Sequence, residues 1–203
     1  TETNFKENAA QYDVLHLCLH GSFSSENGLA CLYFNRDNKN DGLMYPYELY
    51  NLNLNAQLTV LSACETGVGN IEPGEGIFSI ARGFFYSGCP SLIINLWKVK
   101  DKSGLEIQSQ FYKNLGKGKT ISQSLLQAKL DYIKKADQYS AHPSFWASPV
   151  LVGSNNRLVN KNSATGYVEV FAAISALIAL LAAIVFITVF IRRHNTKSGI
   201  KPR

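Results

Sequence analysis

The chain has 203 residues, of which 46% are hydrophobic, enough for one core domain with length left over for a different task. Its formal charge of +5 is concentrated in the C-terminal tail (Arg192, Arg193, Lys197, Lys201, Arg203), and the near-neutral body has no Lys/Arg stripe interleaved with aromatics. That distribution argues against nucleic-acid binding, and four cysteines without CxxC spacing suit free thiols better than a disulfide framework.

Val14 to Leu19 is an apolar run that ends at His20-Gly21, and it reads as a buried strand. Gly28 to Phe34 forms a second extended run, closed by the turn-prone segment Asn35 to Gly42. Pro46 starts a short helix through Tyr50, because proline suits a first helical turn. Gln57 to Ala63 is the next strand and ends at Cys64-Glu65-Thr66-Gly67. A Gly/Pro-rich loop then leads to a helix over 76–86, with Ile77, Ile80, Ala81, Phe84 and Phe85 at helical spacing and Gly88 as its stop. Ser91 to Trp97 is again apolar throughout, so strand, helix and strand alternate as in an α/β protein with a parallel sheet. Helices over 103–115 and 122–139 cover a sheet face, and Trp146 to Val152 supplies a last strand.

Residues 154–166 are polar and form a linker. From Val170 to Ile191 no side chain is charged, and as a helix this run is about 33 Å long, enough to cross a bilayer. Tyr167 and Phe190 lie near its two ends, where interfacial aromatics collect. The expectation is one transmembrane helix over 167–191 followed by a basic tail, 192–203. The positive-inside rule places that tail in the cytoplasm and the body on the far side, whereas a tail-anchored topology reverses the arrangement. With no initiator methionine at Thr1, the sequence reads as a piece of a longer chain.

Parallel sheets place reactive groups in the crevice at the carboxyl ends of their strands. Two neighbouring strands that end at His20 and at Cys64 would therefore bring an imidazole and a thiol together. A thiol with a pKa near 8.5 is mostly protonated at neutral pH and needs a base; imidazole, with a pKa near 6.5, can take that proton and return it to a leaving amine. The backbone N–H groups of Gly21 and Cys64 could hold the developing oxyanion. Taken singly, such a cysteine is a small buried hydrophobe and such a histidine a locally bonded one, so the pairing carries the reading. A rival set for zinc is His16, Cys18, His20 and Cys64, but His16 and Cys18 are expected deep under the sheet and the paired spacing of zinc sites is missing.

The ordered string His20-Gly21, Leu61-Ser62-Ala63-Cys64-Glu65-Thr66-Gly67, Asn95 to Asp101, His142-Pro143 with Trp146-Ala147, and Val150 to Gly153 resembles the CHAT domain, a family of caspase-like (clan CD) cysteine peptidases often found after TPR repeats. The resemblance covers residues 13–153. It implies a mostly parallel caspase-like sheet flanked by helices, catalytic His20 and Cys64, an oxyanion hole from Gly21 and Cys64, and a substrate pocket bordered by Trp97 and Asp101. No role for His16 is implied. Asp101 would select a basic side chain by ion pairing, or else cap the following helix; Glu65 would orient groups at the site or favour a helix start. The family carries further elements before the histidine strand, where this chain has only Thr1 to Tyr12, so the domain is expected to be partial. The implied activity is that of a membrane-anchored cysteine endopeptidase acting on a protein substrate without a cofactor, with an upstream TPR or other interaction region. The alternative is a scaffold that keeps the fold and performs no chemistry.

Overall fold

The computed structural model describes residues 1–24, 29–62 and 75–159, together with the helical residues Ile174, Ser175, Ile178 and Ile187. The chain divides into two units, Thr1–Leu158 and Val159–Arg203.

The frame of the first unit is a four-stranded sheet. Its strands are β1 (Val14–Leu17), β5 (Leu58–Leu61), β6 (Ser91–Asn95) and β7 (Pro149–Gly153), in that spatial order. The pairs β1/β5 and β5/β6 are parallel, and β7 runs antiparallel on the far edge. The sheet is thus parallel-rich and mixed, with helices on both faces. All four residues of β5 are buried, which explains its unbroken apolar run: a central strand covered on both faces has no side on which polar residues meet water.

Alternation along the strands separates two cores. Leu15, Leu61, Leu92 and Ile94 pack on one face with Ile80, Ala81 and Phe84 of α3 (Glu75–Tyr86) and with Phe5. Leu58, Val60 and Ile93 pack on the other with Ile107, Phe111 and Leu115 of α4 (Asp101–Leu115) and Ile121, Leu125 and Ala128 of α5 (Ile121–Ile133). Burying Phe84 and Phe111 contributes roughly 2–3 kcal/mol each by area removed from water. Thr120 caps α5: its hydroxyl accepts from the Gln123 N–H, and the Thr120 N–H donates in turn to the Gln123 side-chain oxygen. Gly88 leaves α3 at φ +100°, where a Cβ would sit 2.8 Å from the Leu54 carbonyl oxygen.

Three local features differ from, or add to, the sequence reading. The strand through His16 stops at Leu17, and His20 opens β2 (His20–Ser24) of a second, antiparallel sheet with β3 (Leu29–Tyr33) and β4 (Leu43–Met44). The parallel ladder ends there because its partner β5 ends at Leu61, and the chain turns out to pair His20 with Tyr33. The second difference is at the N-terminus, where Glu2–Asn8 forms a helix, α1, followed by a 3-10 turn over Ala9–Gln11. Glu2 is buried, pairs with Lys6 and accepts the Gly42 N–H at 2.9 Å, and Lys6 also bonds Glu48 at 2.9 Å. Thirdly, α5 ends at Ile133, short of Tyr139, and the chain continues through a turn in which Asp137 accepts the Ser140 N–H at 2.7 Å. The short helix at Pro46, here α2 (Pro46–Leu49), matches expectation.

Among the described residues no helix is long and apolar enough to cross a membrane. The run 170–191 lies almost entirely outside the described residues.

Candidate active site

The parallel register of β1 and β5 aligns Leu17 with Leu61. His20 and Cys64 each follow their aligned residue by the same interval along the chain. The strand before Cys64, β5, neighbours β1, whereas His20 lies on β2, which pairs with β3 in the antiparallel sheet. His20 is exposed as the first residue of β2, and Gly21 behind it is buried opposite Leu32. Cys64 and Glu65 lie outside the described residues.

Trp97 and Asp101 lie beyond the end of β6. The Trp97 N–H donates to Ser148 Oγ at 3.0 Å, Ser148 Oγ–H donates to the Trp97 carbonyl at 2.7 Å, and the indole N–H reaches the Ser144 carbonyl at 3.1 Å. These bonds fix the loop while leaving Trp97 exposed. Lys98, Val99, Lys100 and Asp101 line a shallow surface hollow directly after it. The helix cap falls on Lys100 and not on Asp101, which is the first residue inside α4, where a carboxylate still faces the positive end of the helix. His142 is a structural cap: its Nδ1 is 2.9 Å from Ser144 Oγ and accepts the Ser144 N–H at 3.3 Å, starting the 3-10 turn Pro143–Phe145.

Sequence reasoning gave His16 no part in catalysis and placed it only in the rival zinc set, but it is the centre of a polar cluster at the crevice end of the sheet. Its Nε2 lies 3.1 Å from Ser62 Oγ and 3.4 Å from Cys18 Sγ. Gln108 of α4 donates its amide N–H to the same Ser62 oxygen, and the Tyr112 ring lies 5.6 Å from the His16 ring, centroid to centroid. Desolvation by these neighbours lowers the His16 pKa below its ordinary value of 6.5, favouring neutral imidazole. Burial, with the Cys18 charge adding, pushes the Tyr112 hydroxyl up to about 12, and that hydroxyl has no hydrogen-bond partner among the described residues.

His16 and Cys18 are both exposed, contrary to the expectation that they lie deep under the sheet. The reason is that β1 is an edge strand, so the helices covering the central strands leave its outer flank open. Among the described residues no group of three or more His, Cys, Asp or Glu side chains is placed to hold a metal ion. Cys18 and Cys89 form no disulfide. Cys89 is buried against Thr59 and the Ser91 carbonyl, and burial raises its pKa, as suits an unreactive core cysteine.

A parallel-rich sheet flanked by helices defines an α/β domain of the kind that carries binding and catalytic groups at its strand ends. The chain belongs to the CHAT domain family, whose model matches residues 1–154. CHAT domains are related to caspase-like cysteine peptidases. The chain is also similar to tetratricopeptide repeat protein 28 of Mus musculus, 29% identical over 124 residues, and of Homo sapiens, 26% identical over 124 residues. Each match covers 61% of this chain and 5% of the relative, so the chain spans a small fraction of the length of these curated proteins.

Proposed function

We propose that the chain carries the catalytic half of a caspase-like cysteine endopeptidase anchored to a membrane. His20 Nε2 or Nδ1 takes the Cys64 thiol proton, and the thiolate attacks a peptide carbonyl carbon. The negative charge that develops on the carbonyl oxygen is held by the N–H groups of Gly21 and Cys64. The imidazolium then protonates the departing amine, leaving a thioester on Cys64. Water, deprotonated by His20, attacks the thioester, and the thiol leaves with its proton restored. Trp97 and Asp101 border the pocket for the residue before the cleaved bond. Lys98 and Lys100 beside Asp101 work against selection of a basic side chain by that single carboxylate, so neutral side chains are the better candidates for this pocket.

The observation that carries this reading is the β1/β5 register, from which His20 and Cys64 follow at equal distance along the chain, within a family related to cysteine peptidases. Anchoring is supported by the uncharged run 170–191 and by the exposure of Ile174, Ile178 and Ile187, each helical. Resistance of the protein to alkaline extraction from membranes, lost on deletion of 167–191, tests that part.

A second reading is favoured by the relatives, which are named for tetratricopeptide repeats: the domain serves as a partner-gathering module beside such repeats. A peptidyl electrophile directed at cysteines distinguishes the two. Labelling at Cys64 that disappears in Cys64→Ala and falls in His20→Ala supports the protease. Labelling confined to the exposed Cys18, unchanged in both variants, supports the module.

A further inference from the structure

We propose that His16 and Ser62 form a positioning clasp that holds the two chain segments leading to the catalytic pair at a fixed separation. The inference rests on the protease reading and adds residues to it that touch neither substrate nor the reacting atoms.

The clasp follows from spacing. Cys18 precedes His20 by two residues and Ser62 precedes Cys64 by two, the interval at which extended chain repeats its side. His16 Nε2 meets both predecessors, Ser62 Oγ at 3.1 Å and Cys18 Sγ at 3.4 Å. Below the side chains, the Ser62 N–H donates to the Leu17 carbonyl at 2.9 Å, so backbone and side chains tie the two strand ends together at one level. One donor order that satisfies these contacts has the Gln108 amide give its hydrogen to Ser62 Oγ and the Ser62 hydroxyl give its own to an unprotonated His16 Nε2.

Neutral imidazole is the form favoured by the partly desolvated setting beside Tyr112. Gln108 ties the clasp to α4, whose packing against β5 and β6 makes it a firm support. Catalytic groups held this way lose rate when the support is removed, because small displacements of reacting groups are costly: a shift of about 1 Å can cost on the order of a hundredfold.

The test follows iodoacetamide alkylation of Cys64 against pH in the full chain, resolved from Cys18 by mass spectrometry of the peptides. Wild type is compared with His16→Ala, His16→Gln, Ser62→Ala, Ser62→Thr and His20→Ala. With the clasp, Ser62→Ala and His16→Ala slow Cys64 alkylation at neutral pH by about tenfold and move its profile towards that of an ordinary thiol near 8.5, as His20→Ala does. Ser62→Thr, which keeps the hydroxyl, restores most of the rate, and His16→Gln, which keeps an acceptor, restores part of it. If His16→Ala fails to fold, Ser62→Ala, which removes a single oxygen, decides. A Cys64 profile unchanged in Ser62→Ala while His20→Ala still shifts it overturns the clasp and leaves the protease reading standing. A profile unchanged in His20→Ala removes the catalytic pair, and the clasp with it.

Discussion

Gly153 ends β7 at φ +93°, paired with Ser91 at the far edge of the sheet, and Gly153→Ala is the substitution whose cost can be worked most directly from the structure. A Cβ at this position collides with the Pro90 carbonyl oxygen and lies 2.9 Å from Phe85 Cε1. The carbonyl is backbone and already accepts the Ser154 N–H at 2.8 Å, while Ser91 Oγ donates to the Ser154 carbonyl at 2.9 Å. Relief therefore requires β7 to move away from β6. A non-glycine residue forced into this region costs about 1–3 kcal/mol. Weakening the Ser154 bond adds about 0.5–1.5 kcal/mol. The expected loss is about 2–4 kcal/mol, a fall in Tm on the order of 10 °C for a chain of this size. Urea unfolding of the full chain followed by circular dichroism measures it, with the slope m expected to stay at the wild-type value. A loss below about 0.5 kcal/mol, the ordinary scatter of surface substitutions, would show that Gly153 does not sit against Pro90 in this register.

Lys6→Met keeps the aliphatic stem and removes the ammonium, leaving the buried Glu2 carboxylate without its cation; a loss of about 3 kcal/mol at pH 7 is expected in chemical denaturation, and no loss would contradict the α1 placement. Thr120→Ala removes the α5 cap and lowers stability by about 1 kcal/mol in the same assay, with Thr120→Ser near wild type; equal losses would contradict the capping geometry. Acid weakens the fold in two stages. The His16 pKa is lowered below 6.5 in the folded state, so the unfolded chain takes up that proton first and stability declines as pH falls below about 6.5; His16→Gln flattens this stage. Hydrogen bonds from Lys39 N–H, Thr3 Oγ1 and Asn40 N–H hold Asp37 below its ordinary 3.8, so its contribution, present above that value, is lost as pH falls further; Asp37→Asn flattens the second stage. Stability that stays level from pH 7 to pH 3 would refute both assignments.

The central sheet was legible because β5 and β6 bury both faces, and a short uninterrupted apolar run bounded by polar residues suits a strand covered on both sides. The α3 register was legible from Ile80, Ala81, Phe84 and Phe85 for a similar reason: the helical period shows when one face alone is buried. The N-terminal helix was not, since it is largely polar and, besides Phe5, its buried member is Glu2, held by Lys6 one turn on and by the backbone N–H of distant Gly42. The break after Leu17 was hidden because Cys18 and Leu19 continue the apolar pattern; only the length of the partner strand ends the ladder. The tail of α5 was overextended because Lys134 to Tyr139 has no breaker, and the helix is ended by turn bonds around Asp137 and Ser140. At the site, the histidine and cysteine stood out by residue type, whereas His16 and Ser62 did not, because their partnership joins residues 46 positions apart and is visible only once β1 lies beside β5.

The claim on which the functional account stands is that the imidazole of His20 lowers the pKa of the Cys64 thiol. Its most direct test is the pKa of Cys64 itself, read from the alkylation rate of its peptide across pH in wild type and in His20→Ala. The account predicts a wild-type value well below the ordinary 8.5 or so, rising to about 8.5 in the variant. A wild-type value already near about 8.5, indifferent to the loss of His20, would contradict it.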